Sequence, residues 1–117
     1  MSQHDKEEAV QCFNATWDLI DKPDGTHEDN MNMIHTAHAS RYHWGQIGTA
    51  LELSRGEWQI SRVYALLSMG ESALFHAKET LKLCLDNRLA TSIWPLAMRP
   101  MGRAYSALGN EMIKPFL

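Results

Sequence analysis

Apolar residues recur along the chain with the spacing of amphipathic α-helices, and clusters of turn-forming residues separate these segments. In the first segment Val10, Phe13, Trp17 and Ile20 fall on one helical face. The cluster KPDG at 22–25 then ends that helix. No segment shows the strict apolar–polar alternation that is typical of a strand, so the pattern predicts an all-α fold.

Three helix starts are marked by a serine or threonine followed three residues later by an acidic residue, as in a capping box. The pairs are Ser2 with Asp5, Thr26 with Asp29, and Thr49 with Glu52. Gly45 and Gly48 are expected to break the second helix, and Gly70 is expected to close the third by adopting a positive φ. The fourth helix is then predicted to run from about Glu71 to Asn87.

The fourth predicted helix has one apolar face and one charged face. The apolar stripe contains Ala73, Leu74, Ala77, Leu81, Cys84 and Leu85. Phe75 is the lone apolar residue on the solvated side. After the fourth helix, Thr91 or Ser92 could cap a fifth helix with Pro95 in its first turn. Pro100 predicts a kink in that helix or a later helix start.

Two short motifs connect this pattern to a known kind of repeat. The first is Tyr64-x-x-Leu67 followed by Gly70, and the second is Tyr105-x-x-Leu108-Gly109. Both resemble the helical hairpin of tetratricopeptide-like repeats, although the two tyrosines lie 41 residues apart and the usual unit is about 34 residues. The stretch from His35 to Ser61 also resembles small bacterial proteins with no assigned function.

The resemblance implies a fold and a division of the chain. It implies an all-α, tetratricopeptide-like right-handed array of about five antiparallel helices in a single domain, residues 1–117. Within it, residues 1–48 form an N-terminal hairpin, 49–90 a tetratricopeptide-like hairpin, and 91–117 an incomplete second repeat. Such arrays present surfaces that bind other proteins.

Composition and charge exclude several classes of function. The net charge is −3, and the 11 lysines and arginines are dispersed, so neither nucleic-acid binding nor membrane-surface binding is expected. Cys12 and Cys84 are too few for a disulfide scaffold and fit reduced thiols. The polar N-terminus and the absence of a run of about 18 apolar residues indicate a soluble, cytoplasmic protein without a signal peptide.

Three histidines, at 35, 38 and 43, raise the question of a metal site. At about 100° per residue His35 and His38 share a face, whereas His43 lies about 140° away from His38. One helix therefore offers at most two ligands, and zinc needs three or four. The alternative to surface histidines is an ion held by His35 and His38 with further ligands from another helix. No metal is expected here, and no cofactor is indicated.

A strip of small and polar residues on the third helix runs between two apolar stripes and contains Glu57. Two flanking apolar stripes indicate that neighbours pack on both sides, which places this carboxylate where water is scarce. A buried carboxylate takes up a proton or finds a cation. One reading is a structural ion pair with the preceding helix. The other is a polar pocket between helices two and three formed by His38, Arg41, His43, Glu57 and Arg62.

The C-terminal residues are apolar where a repeat array needs a polar cap. The candidate interface residues are Tyr105, Leu108, Met112, Ile113, Phe116 and Leu117. Either these residues pack against another chain, most simply in a homodimer, or a longer protein continues beyond them.

Two functions remain open at this point. The first is a module that binds a protein or a peptide, including a second copy of itself. The alternative is a small enzyme or ligand-binding protein that uses the polar pocket. No phosphate-binding loop or nucleophile elbow is present, so no catalytic residue can be named from the sequence.

Overall fold

The computed structural model describes residues 2–90, and the regular secondary structure of this part is all helical, without a strand. The predicted all-α class is confirmed. The helices are α1 (Ser2–Ile20), α2 (His27–Ile47), α3 (Ala50–Leu66) and α4 (Gly70–Asp86). The expected fifth helix, the second repeat and the C-terminal interface from Tyr105 to Leu117 lie outside the described residues.

Each helix packs mainly on its neighbour in sequence. The pairs α1–α2 and α3–α4 form two antiparallel hairpins, and α2 packs on α3 to join them. The α1 helix reaches α3 at a few positions only. The described part is therefore an array of two hairpins. None of its helices is both long and apolar enough to cross a membrane.

The predicted start of α2 is confirmed in detail. Thr26 is its N-cap, and the Thr26 hydroxyl accepts a hydrogen bond from the Asp29 amide at 3.1 Å. The Asp29 carboxylate accepts one from the Thr26 amide at 3.0 Å in return. The Thr49 amide likewise donates to Glu52 at the start of α3, at 3.0 Å. These reciprocal bonds satisfy amides that a helix terminus otherwise leaves unpaired.

The prediction that Gly48 ends α2 is confirmed, whereas the predictions for Gly45 and Gly70 are wrong. The α2 helix continues through Gly45 to Ile47, and Gly48 caps it. The residue with positive φ after α3 is Ser68, at 62°, whereas Gly70 is the first residue of α4. The Met69 amide donates to the Tyr64 carbonyl at 2.8 Å, which is the long bond of a Schellman motif. The helix end is therefore set by backbone hydrogen bonding two residues before the glycine.

The apolar core lies in two separate clusters. One is between α2 and α3 and contains Met33, Ala37, Ile60 and Val63. The other consists of Leu81 and Cys84 on α4, with Trp58, Leu85 and Leu89 packed around them. The prediction that Cys84 lies in the core is confirmed.

Leu74 departs from the predicted stripe on α4, because it is exposed whereas Ala73 is buried. The Ser61 hydroxyl on α3 donates to the Ala73 carbonyl at 2.6 Å. This bond brings the backbone of α4 close to α3 at Ala73. Leu74 lies about 100° further round the helix and consequently points away from the interface.

Two glycines inside helices make room for one arginine. A Cβ atom at Gly56 on α3 would lie 3.1 Å from Cδ of Arg41 on α2. A Cβ atom at Gly45 would lie 2.8 Å from the Arg41 Nη1 atom. Glycine in a helix interior costs about 1 kcal/mol relative to alanine. We infer that the space for the Arg41 side chain offsets this cost.

Replacing Gly56 by alanine tests this inference. Where nothing obstructs the new methyl group, replacing a glycine inside a helix by alanine raises the free energy of unfolding by about 1 kcal/mol. In the wild-type background we expect Gly56→Ala to leave the free energy of unfolding unchanged or to lower it, because the new methyl group displaces Arg41. The gain should return when the same substitution is made in an Arg41→Ala background. Urea unfolding of the four proteins measures both effects, and an equal effect in the two backgrounds would refute the inference.

Candidate functional site

Glu57 is the residue at which three helices meet. It lies on α3 and is 7 % exposed. Its Oε2 atom accepts a hydrogen bond from Nε of Arg41 on α2 at 2.8 Å. Its Oε1 atom lies 2.6 Å from Nδ1 of His76 on α4. The burial of Glu57 and its contact with Arg41 agree with the prediction, whereas His76 was not anticipated.

The electrostatics of this cluster fix the proton on one histidine. Burial alone would raise the pKa of Glu57, but the hydrogen bond from His76 and the charge of Arg41 outweigh it and lower that pKa below the ordinary value. Glu57 is therefore a carboxylate at neutral pH and can only accept hydrogen bonds. The proton between the two side chains therefore lies on Nδ1 of His76, which donates it to Oε1 of Glu57.

A second polar pair lies beside the first. Nε2 of His38 on α2 is 2.9 Å from the hydroxyl of Tyr64 on α3. The ring of His76 lies 5.6 Å from that of His38 and stacks on that of Tyr64 at 5.8 Å between centroids. Burial lowers the pKa of His38, and the neighbouring His76 lowers it further, so His38 is neutral at pH 7.

The structure brings together three of the five residues of the predicted pocket, namely His38, Arg41 and Glu57. His43 lies apart, because two residues beyond Arg41 it faces α1, where its Nδ1 is 2.8 Å from Asp5. Arg62 is exposed, since five positions after Glu57 it lies about 140° round α3. The pocket with all five members is thus corrected to a cluster of Arg41, Glu57, His76, His38 and Tyr64, called here the Glu57 cluster.

The sequence contains signals that place Tyr64 and His76 near Glu57, although neither residue was predicted to belong to the site. Tyr64 is seven residues after Glu57 and so lies on the same face of α3. His76 follows from the register of the hairpin: Ser61 pairs with Ala73, so in an antiparallel pair Glu57, one turn before Ser61, meets α4 about one turn after Ala73. The short connection between α3 and α4 was the available signal.

Among residues 2–90, no group of three or more histidine, cysteine, aspartate or glutamate side chains is arranged to hold a metal ion. His35 is exposed, and His38 and His43 are bonded to Tyr64 and Asp5. The three histidines that are close in sequence do not form one site.

Comparison of the chain with models of protein families, with curated proteins and with solved structures gives no match.

Replacing Glu57 by alanine should destabilise the chain by about 3 kcal/mol or more, because Arg41 and His76 lose their shared partner in a buried place. A group with a lowered pKa stabilises above its ordinary pKa and loses that contribution as the pH falls through its folded pKa. The loss in free energy of unfolding caused by Glu57→Ala should therefore be largest at pH 7 and should shrink below about pH 4.5.

The matched control is Glu52→Ala, the same change in the capping box of the same helix, which should cost about 1 kcal/mol. Urea unfolding at both pH values gives the free energies. An equal loss for the two variants would show that the Glu57 cluster does not hold the helices together.

Proposed function

We propose that this chain is a helical-hairpin module that binds a protein or peptide partner through the α3–α4 hairpin. The tetratricopeptide-like character of the array belongs to this proposal, as does self-association as one form of partner binding. The proposal is supported by one observation above all, which is the clustering of exposed apolar side chains on this hairpin.

Four large apolar side chains that are exposed to solvent fall between residues 66 and 75. They are Leu66, Met69, Leu74 and Phe75, called here the apolar surface, and their exposed fractions are 44–64 %. Single exposed apolar residues are normal, whereas a group of them marks an interaction site. The other large exposed apolar residues of the described part, Val10, Met31 and Tyr42, are spread over α1 and α2.

Polar contacts fix the α3–α4 hairpin, which carries the apolar surface, both internally and against α2. Its two helices are fixed to each other by the Ser61–Ala73 hydrogen bond and by the Glu57–His76 pair. Arg41 fixes the hairpin to α2 through the same carboxylate. A rigid surface loses little conformational entropy when a partner binds, which favours affinity. The Glu57 cluster thus supports binding at the apolar surface by keeping it preorganised.

A peptide selected from a displayed random library against the full chain provides the test. Fluorescence anisotropy then gives its Kd for the wild type, for Phe75→Glu and for Met31→Glu. Met31 is the control because it is also an exposed apolar residue, 40 % exposed against 64 % for Phe75, and lies on the other hairpin. We expect Phe75→Glu to weaken binding at least about tenfold, since truncation or charge at a contact centre costs more than about 1.4 kcal/mol.

Met31→Glu should leave the Kd unchanged. The proposal is wrong if selection yields no binder, or if the selected peptides bind Phe75→Glu as tightly as the wild type. Circular dichroism of both variants confirms that each remains folded.

A further inference from the structure

His38 on α2 contacts both helices of the α3–α4 hairpin. Its Nε2 atom is 2.9 Å from the hydroxyl of Tyr64 on α3, and its ring lies 5.6 Å between centroids from that of His76 on α4. The α2 helix belongs to the other hairpin, so these contacts lie at the junction between the two hairpins. A change of charge on His38 therefore acts directly on that junction.

Charged and titratable groups face His38 from each helix of the junction. They are His35 and Arg41 on α2, Glu57 and Tyr64 on α3, and His76 on α4. Glu57 is the one carboxylate of this set, and its two oxygens are already bonded to Arg41 and to His76. On α1, which packs on α2 as well, Asp5 is bonded to His43. A proton on His38 thus adds a positive charge where the nearby carboxylate is already shared between two other partners.

The neutral form of His38 fits this environment better than the charged form. The side chain is half-buried, and burial lowers the pKa of His38 below its ordinary value of 6.5. The charge of His76 lowers this pKa further and that of His35 adds to the effect, whereas Glu57 opposes it without cancelling it. The unfolded chain therefore takes up a proton at this position more readily than the folded chain. In consequence, the contribution of His38 to the free energy of unfolding falls as the pH drops below about 6.5.

We propose that His38 is an acid-sensitive contact between the two hairpins, and that its protonation weakens the packing of α2 on the α3–α4 hairpin. The Tyr64 hydroxyl can accept a hydrogen bond from a charged ring, so the loss of this bond is not the cause. The causes are burial of the charge and repulsion by His76 across the junction. Histidine protonation alters interfaces in this way over the pH range from 5 to 8. The proposal concerns the junction rather than the apolar surface, so it does not depend on the proposed function.

Urea unfolding of the full chain at pH 7.5 and at pH 5.5 tests the proposal with two variants. His38→Gln keeps a side chain that can bond to Tyr64 but takes up no proton in this range. His35→Gln is the matched control, because it removes an exposed histidine one turn away on the same helix. Lowering the pH should reduce the free energy of unfolding more in the wild type and in His35→Gln than in His38→Gln. The same pH dependence in all three proteins would overturn the proposal.

NMR titration of the histidine rings measures the protonation of His38 in the folded wild type. The midpoint should lie below 6.5. It should rise in His76→Phe, which keeps an aromatic ring on α4 and removes its charge, whereas burial alone would leave it unchanged. Each pH unit by which the midpoint lies below 6.5 corresponds to a tenfold change in the unfolding equilibrium constant, so the urea and NMR measurements must agree. A midpoint at or above 6.5, or one that His76→Phe does not raise, would overturn the proposal.

Discussion

A single buried carboxylate sets the arrangement of the described helices. Glu57 is surrounded by three helices and must remain charged, so each of its oxygens needs a donor. Arg41 on α2 supplies one and His76 on α4 supplies the other. Because the two donors come from different helices, the carboxylate is fully satisfied only when both α2 and α4 are in register with α3.

This constraint explains features that otherwise look unfavourable. Gly45 and Gly56 weaken their helices but leave space for the Arg41 side chain. The core is split into two clusters, one between α2 and α3 and the other between α3 and α4. A buried ion pair gives little net stability compared with apolar packing, whereas breaking one is costly. We infer that the Glu57 cluster acts mainly to fix one register of the α3–α4 hairpin, and that register determines which apolar side chains face outward.

The sequence predicted well those features that depend on local chemistry. The capping boxes at Thr26 and Thr49, the four described helices and the buried position of Glu57 follow from spacing alone. Phe75 was likewise placed on the solvated side and is exposed. The errors concern features that depend on neighbouring helices. Gly45 is an example: it leaves space for Arg41, one turn away on the same helix. Arg41 contacts α3, and no local pattern shows that contact, so the sequence alone predicted a helix break at Gly45.

His76 was missed for a related reason. Nothing in the residues around it marks it as a partner of Glu57, and only the pairing of Ser61 with Ala73 brings it there. His43 and Arg62 were included in the pocket because they are close in sequence to Arg41 and Glu57, although helical rotation turns both away. Proximity along a helix is a poor guide to proximity across an interface, where the crossing register decides.

The most direct test is a double-mutant cycle between Arg41 and His76, which bind the same carboxylate through different oxygens. Arg41→Met, His76→Phe and the double variant are unfolded in urea at pH 7. The loss in the double variant should be smaller than the sum of the single losses by about 1 kcal/mol, because the first change admits water or a proton to Glu57 and weakens the second contact. A matched cycle of Arg41→Met with Lys82→Met, which removes an exposed pair on α4, should be additive. Additivity within about 0.3 kcal/mol in the Arg41–His76 cycle would contradict the account.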